Sequence, residues 1–269
     1  MKRNASSEFI YQLFALMISI IIVHSVYVTM IRPNADAILQ QQMEQQASGE
    51  PYVVQRSWYI VLRDYEQETC FILMLWAMAI MSYKARQVTV ERRMLNLPLL
   101  RVKEGSHILP EDTETFAQPI HQLPREQQDY LVPRTLLAAL QRFRTSHNIA
   151  AASAAVKENC DIESDRLDSE LSMVRYIAWA IPSIGFIGTV RGIGNALGQA
   201  HLAIEGDIAG VTANLGVAFN STFVALMISI VVMFFSHQLQ LMQERQVLDT
   251  QRYCDDKLLR HLSVETDSQ

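Results

Sequence analysis

Four apolar runs restrict what this chain can fold into. They cover residues 9–31, 69–83, 173–197 and 213–235, about a third of the 269 residues. A helix needs about 20 apolar residues to cross the hydrocarbon core of a bilayer, and three of the runs have 23 or 25 residues. The sequence therefore predicts an all-α membrane protein with four transmembrane helices rather than a soluble enzyme.

The first two runs are predicted to form a membrane hairpin, with spans at about residues 9–31 and 62–83. The first run is longer than the apolar core of a secretory signal, about 7 to 15 residues, so we expect a retained anchor. The second run has 15 residues and would rise only about 22 Å, so we expect it to borrow residues 59–62. A three-span chain whose second helix lies at the interface is the alternative.

The charges that flank the runs predict the orientation. Residues 84–103 contain six cations and one acid, whereas residues 32–68 contain three arginines and six acids. Loops rich in Lys and Arg stay in the cytoplasm. Lys2 and Arg3 place the N-terminus on the same side, so both termini are predicted to be cytoplasmic.

Long helical extensions are predicted to lie in the cytoplasm. The prolines between residues 97 and 133 predict an irregular crossing, and from Arg134 an apolar stripe predicts an amphipathic helix. The chain thus divides into a membrane hairpin, a cytoplasmic loop, a second pair of spans and a cytoplasmic helix with a tail, at residues 1–83, 84–172, 173–236 and 237–269.

Composition argues against several classes of function. A net charge of −5 without a basic stripe does not suit a nucleic-acid-binding protein. The three cysteines form no C-x-x-C pair, so neither a disulfide framework nor a metal site is expected. No nucleophile–base–acid set is visible, so we predict no enzyme activity and no cofactor. The glycines at 192, 194 and 198 follow no predicted strand and do not form a dinucleotide loop.

Small residues line the third and fourth runs. Gly188-x-x-x-Gly192 and Gly194-x-x-x-Gly198 are spacings that let helix backbones approach closely in lipid. Close packing of the two helices is therefore expected. The residues predicted to mediate it are Pro182, Gly185, Gly188, Gly192, Ala218 and Ala225.

Polar side chains accompany these small residues. Thr189 recurs with the small residues of the third run, and Thr222 and Ser229 recur with those of the fourth. A lone threonine can bond to its own helix, but an asparagine in a span is costly without a partner. The pattern favours a polar ion pathway formed by Thr189, Asn220, Ser221, Thr222 and Ser229.

Arg191 is the one charge well inside an apolar run. It lies about 24 Å beyond Arg175 along a helix, which predicts a position near the outer interface. It either snorkels to that interface, forms a cation at the outer mouth of the pathway, or pairs with a carboxylate of another subunit. The third and fourth runs contain no Asp or Glu, so a proton-carrying acid would have to come from another chain.

The third and fourth runs resemble a known family. The sequences IPSIGFIGTVRGIGNAL at residues 181–197 and AFNSTFVAL at residues 218–226 are similar to the paired pore helices of the MotA/TolQ/ExbB superfamily. The similarity covers roughly residues 165–260. It implies a homopentamer in a bacterial inner membrane, assembled around two copies of a single-span partner of the ExbD/TolR/MotB type.

The resemblance also implies roles for residues. The partner would supply an intramembrane aspartate, and Thr189 and Thr222 look like the two family threonines that face it. The chain departs from the family at Val217, where ExbB and TolQ commonly carry glutamate, and at Arg191, where relatives often carry tryptophan. Four spans are similar to MotA, whereas the pore motifs are more similar to ExbB and TolQ.

The resulting hypothesis is an ion-conducting motor or stator subunit, driven by protons or by sodium. The driven process stays open among transport across the envelope, envelope maintenance, motility and defence. The alternative is a non-conducting membrane scaffold or sensor that oligomerises through its small-residue faces. Loss of a threonine hydroxyl separates the two, because only a conducting pathway needs it.

Overall fold

The structure, a computed structural model, describes residues 5–47, 57–100, 107–204 and 208–264. These residues are mostly helical, and no strand occurs among them. The predictions of an all-α fold and of four candidate spans are confirmed, and the chain is a multi-pass membrane protein. The helical stretches long and apolar enough to cross a membrane are Ser7–Gln42, Tyr65–Asn96, Ile149–Gly198 and Ala209–His261.

The chain divides into two compact units. Lys2–Met81 and Met173–Ser236 form the membrane unit, which carries nearly all of the apolar runs. Ser82–Ser172 and His237–Gln269 form the loop unit.

The N-terminal helix continues beyond the first apolar run. Helix α1, Ala5–Val26, passes through a π turn, Tyr27–Ile31, into α2, Arg32–Ala47. Pro33 has no N–H, and its ring crowds the carbonyl four residues earlier. The π turn widens the helix just before this proline, because the N–H of the preceding residue reaches back five residues. The predicted end of the span at residue 31 therefore corresponds to no break in the helix.

The second span differs from the prediction at its start. Trp58–Val61 forms a separate turn, α3, whose N-cap Ser57 accepts a hydrogen bond from the Tyr59 N–H at 3.3 Å. Helix α4, Tyr65–Arg92, begins after a three-residue break. Residues 59–62 therefore do not lengthen the second span, and the extra helical length follows the apolar run instead of preceding it.

The third and fourth runs lie in two long helices. Helix α9 is Ser172–Gly198, a short α10 is Ala200–Ile204, and α11 is Ala209–Lys257. With 49 residues, α11 is about 74 Å long at 1.5 Å per residue. Ser229 Oγ of α11 donates to the Ala178 carbonyl of α9 at 3.1 Å. This bond lets the two helices pack without leaving a buried hydroxyl unpaired.

The loop unit is more helical than predicted. Residues 97–133, expected to form an irregular crossing, contain α5, Thr113–His121, and α6, Arg125–Gln128. Helix α7, Leu131–Ser146, begins three residues earlier than predicted. It does so because Pro133 falls in its first turn, where its missing N–H costs no intrahelical bond.

A tight connection joins α7 to α8, Ile149–Glu170. His147 has a left-handed φ of 48°, which is common just after the end of a helix. The Asn148 side chain accepts hydrogen bonds from the N–H groups of Ala150 and Ala151 and so caps α8. The connection folds the apolar faces of the two helices together.

The core of the loop unit combines α7 and α8 with the crossing and the end of α11. The Ile108 N–H donates to the His261 carbonyl at 2.7 Å, which ties the crossing to the residues after α11. Apolar side chains from all of these segments are buried together. Members of this core include Leu136, Leu140, Phe143, Cys160, Cys254 and Leu258.

Leu136→Ala should destabilise the loop unit. The Leu136 side chain is fully buried in the core, and truncation of such a residue costs about 2–5 kcal/mol. The rate at which a maleimide labels the buried thiols of Cys160 and Cys254 in the detergent-solubilised chain measures the opening of this core. Leu248→Ala, at an exposed position of α11, is the control. Equal labelling rates in the two variants would contradict the assignment of the core.

Candidate ion pathway

Three glycines allow α9 and α11 to approach closely. A Cβ added at Gly188 would lie 2.5 Å from the Ser221 Cβ, and one at Gly192 would lie 2.8 Å from a backbone nitrogen of α11. One at Gly185 would overlap the Ala225 Cβ. Such contacts are closer than packed atoms allow, so only glycine permits this helix separation.

The other small residues of the third and fourth runs divide into those that are buried or half-buried in α9 and α11 and those that face open space. Ala218 and Ala225 are fully buried, and Pro182 is half-buried in α9. An added Cβ at Gly194 or Gly198 would have no described atom within 4 Å. Of the two small-residue spacings predicted from the sequence, only the first brings helices of this chain together.

Thr189 and Thr222 meet at the edge of the helix contact. Their hydroxyl groups form a hydrogen bond with each other. Thr189 Oγ1 also lies 3.0 Å from the Ala218 carbonyl of α11, and Thr222 Oγ1 lies 3.2 Å from the Gly185 carbonyl of α9. Each hydroxyl has one proton, so one threonine donates to the other, and the accepting hydroxyl donates to a carbonyl. Both threonines are half-buried. The pair is therefore bonded across two helices and still accessible from outside the chain.

The other predicted pathway residues do not join this pair. Ser221 is buried, donates to a carbonyl of its own helix and lies 3.4 Å from the Gln67 amide of α4. Ser229 is buried and bonded to α9. Asn220 lies about 160° around α11 from Thr222, at 100° per residue. Ser221 and Ser229 thus lie within helix contacts, and Asn220 lies on a different face.

Arg191 pairs within its own chain. Its guanidinium donates to the Glu66 carboxylate at 2.8 Å and lies 3.6 Å from Asp64. The Arg191 side chain is 40% exposed and that of Glu66 is 11% exposed. Of the three alternatives for Arg191, the structure shows an ion pair, and its carboxylates belong to the N-terminal end of α4 and the residues before it in the same chain.

Glu68 forms a second ion pair in the membrane unit, which the sequence analysis missed. Its carboxylate accepts a hydrogen bond from Arg32 and lies 2.7 Å from His24 Nδ1. The Arg32 guanidinium lies 4.3 Å from the centre of the Tyr65 ring, a cation–π distance. Glu66 and Glu68 are buried. The only feature of the sequence that could have indicated these buried ion pairs was the presence of arginines on other helices.

The threonine pair can order and pass an ion but cannot hold a free proton. A hydroxyl both donates and accepts hydrogen bonds and stays protonated at physiological pH. The hydrogen bonds that hold the pair involve hydroxyl and carbonyl oxygens, without a carboxylate. Among the described residues, no cluster of His, Cys, Asp and Glu could hold a metal ion. Acid–base chemistry at this position therefore needs a carboxylate from elsewhere.

Gly185→Ala should destabilise the membrane unit, whereas Gly194→Ala should not. The first substitution places a Cβ on the Ala225 Cβ, and such overpacking costs about 1–3 kcal/mol. The second adds a methyl group in open space and favours the helix slightly. Melting temperatures of the two purified variants in detergent measure the difference. A Gly185→Ala protein as stable as the Gly194→Ala protein would contradict the helix contact.

Arg191→Gln should destabilise the chain more than the double variant Arg191→Gln/Glu66→Gln does. The single change leaves a nearly buried carboxylate unpaired, whereas the double change removes both charges. The measurement is again the melting temperature in detergent. Arg63→Gln serves as the control, because Arg63 lies 3.7 Å from Asp36 in a more exposed pair. If the effects of Arg191→Gln and Glu66→Gln, each measured alone, add up to the effect of the double variant, then Arg191 and Glu66 are not coupled.

Residues 127–252 match the sequence model described as the MotA/TolQ/ExbB proton channel family. The matched segment contains 126 of the 269 residues and includes both threonines of the pair. No curated protein and no solved structure matched the chain. The family match confirms the resemblance to the MotA/TolQ/ExbB superfamily predicted from the sequence, over residues 127–252 of this chain.

Proposed function

We propose that this chain is the ion-conducting subunit of a membrane motor or stator. It would lie in a bacterial inner membrane with both termini in the cytoplasm and assemble as a homopentamer. A single-span partner of the ExbD/TolR/MotB type would supply an intramembrane aspartate. The flow of protons, or of sodium, past the threonine pair would then drive mechanical work.

The observation that carries this proposal is the bonding of Thr189 and Thr222. A threonine in a membrane helix usually bonds to its own helix, as the Thr69 hydroxyl does to the Tyr65 carbonyl at 2.8 Å. Thr189 Oγ1 lies 3.4 Å from the Gly185 carbonyl of its own helix, but both threonines have closer partners in the facing helix: each other, and the Ala218 and Gly185 carbonyls at 3.0 and 3.2 Å. Because the pair stays half-buried rather than sealed, it suits contact with a passing ion or with a partner's side chain.

The need for a partner follows from the charges of the membrane unit. The apolar runs of α9 and α11 contain no Asp or Glu. The acids nearest in the structure, Glu66 and Glu68, are each paired with an arginine. A carboxylate that is hydrogen-bonded to an arginine of its own chain is not the free carboxylate that proton transfer past the threonine pair would need. A free carboxylate would therefore have to come from another chain.

Thr189→Val and Thr222→Val should each reduce ion flux. The chain is co-purified with the single-span membrane protein encoded beside it and reconstituted in liposomes, where proton and sodium uptake are followed separately. Hydrogen bonds to a charged group contribute about 1.5–3 kcal/mol, so loss of one hydroxyl should slow uptake about tenfold or more. The ion whose uptake falls identifies the coupling ion.

Thr69→Val is the matched control, because it removes a hydroxyl that bonds only within α4 among the described contacts. It should leave uptake unchanged. Full uptake by the Thr189→Val/Thr222→Val double variant in an intact complex would refute the proposed pathway. A chain that assembles without a single-span partner and shows no uptake would favour the scaffold or sensor hypothesis.

A further inference from the structure

An acidic groove lies in the loop unit between α8 and α11. Its volume is about 380 Å³, and its lining includes Asp165, Asp168 and Glu244 but no described cation. Glu158 and Asp161 continue the same face of α8, because positions three and four apart share one side of a helix. This concentration of like charge favours a cationic occupant.

Gln243 supplies a second sign that the groove is incomplete. This residue lines the groove, is only 3% exposed, and its Nε2 has no hydrogen-bond partner among the described residues. A buried donor without an acceptor is costly and uncommon. The groove therefore suits an occupant that brings both cations and hydrogen-bond acceptors.

A basic groove of about 600 Å³ lies on another side of α11. The groove is lined by Arg92, the last residue of α4, by Arg93 directly after it, and by Asp249 of α11. Arg92 pairs with Asp249 at 2.6 Å, whereas Arg93 is exposed, and Arg86 extends the same face seven residues earlier. Asp249 lies about 140° around α11 from Glu244. One loop unit thus presents an acidic and a basic surface on different sides.

Contacts inside the loop unit fix the level of each helix. Lys84 pairs with Glu170 at 2.7 Å, and each lies two residues from the point where its segment enters the unit. Gln246 donates to Glu91 at 3.0 Å, and each lies nine residues from its entry point. Helices α4, α8 and α11 therefore run side by side in matched register. Residues that lie the same number of residues from their entry points are at the same distance along the helix axes, which we call their level.

We propose that the acidic groove of one copy of this chain receives the basic face of a second copy. Copies in one membrane are related by rotation about the membrane normal. Equivalent residues of all copies therefore lie at the same level along that normal. Arg86 and Asp168 both lie four residues from their entry points, and Arg93 and Asp161 both lie eleven. These residues would meet across the interface. Thr89, which lines the basic groove seven residues from its entry point, would bring its hydroxyl oxygen to Gln243, which lies six residues from its own entry point. The proposal rests on the oligomeric assembly in the proposed function but not on ion conduction.

Cysteine cross-linking tests the register directly. The full-length variant Arg86→Cys/Asp168→Cys, expressed in membranes and mildly oxidised, should give a ladder of covalent oligomers. The control Arg86→Cys/Asp161→Cys shifts one cysteine by seven residues, about 10 Å along the helix, and should give little ladder. The native thiols of Cys70, Cys160 and Cys254 are buried, so their background should be low. Equal ladders, covalent dimers alone, or no ladder in an assembled protein would overturn the proposal.

Charge reversal tests the energetic claim. Asp161→Arg/Asp168→Arg places cations opposite Arg93 and Arg86 and should reduce the recovered oligomer about tenfold or more, because like charges that face each other across an interface repel. Arg86→Glu/Arg93→Glu should do the same. Combining all four changes restores opposite charges and should restore assembly. A combined variant as poorly assembled as either parent would refute the pairing.

These outcomes separate the interface from the proposed function. When Thr189→Val/Thr222→Val is added to the Arg86→Cys/Asp168→Cys variant, the cross-linked ladder should be the same as with both threonines present. The threonines do not enter the interface. A ladder without ion uptake would retain the interface and reject conduction. Ion uptake by a complex that gives no ladder would retain conduction and reject the interface.

Discussion

The close approach of α9 and α11 is the constraint on which the candidate pathway depends. Packed helices usually lie 8–10 Å apart, and apolar surfaces in lipid gain nothing by meeting, so small residues must supply the contact. Here Gly185, Gly188 and Gly192 leave no room for a Cβ. At a larger separation, the Thr189 hydroxyl could not reach a carbonyl of α11 and would keep only the Gly185 carbonyl of its own helix, which lies 3.4 Å away. The glycines thus determine what the threonines bind.

The membrane unit also has to hold buried charge. Glu66 and Glu68 follow each other closely at the start of α4, and both are buried. A buried carboxylate is tolerated only with a partner, and Arg191 and Arg32 provide one each from different helices. Each arginine therefore connects α4 to another helix of the unit. The same pairing engages both carboxylates within the membrane unit.

The sequence was informative where one local property decides the structure. Run length predicted the four candidate spans, and small-residue spacing predicted the contact at Gly188 and Gly192. It failed where a distant residue decides. The partner of Arg191 lies 125 positions away in the chain, and the burial of Ser221 depends on Gln67 of another helix. Periodicity within one helix cannot distinguish a hydroxyl that faces a neighbour from one that faces a pathway.

Proline was the least reliable local signal. The prolines between residues 97 and 133 predicted an irregular crossing, yet Pro119 lies within α5 and Pro133 within the first turn of α7. Pro33 interrupts the hydrogen bonding of the N-terminal helix, yet a π turn carries the chain past it. In each case the backbone lost at most a local bond. Proline alone therefore predicts where hydrogen bonding must change and does not predict where a helix ends.

The two charged surfaces of the loop unit limit the symmetry that an assembly can adopt. In a two-fold dimer, a surface centred on the axis meets its own copy, so the acidic groove would face the acidic groove. The basic surface lies on a different side of α11 and could not reach across the same axis. Opposite charges can meet only if each copy offers one surface to the preceding neighbour and the other to the next. That arrangement is heterologous, and in a membrane, where all copies share one normal, it forms a closed ring when the rotation between neighbours divides a full turn evenly.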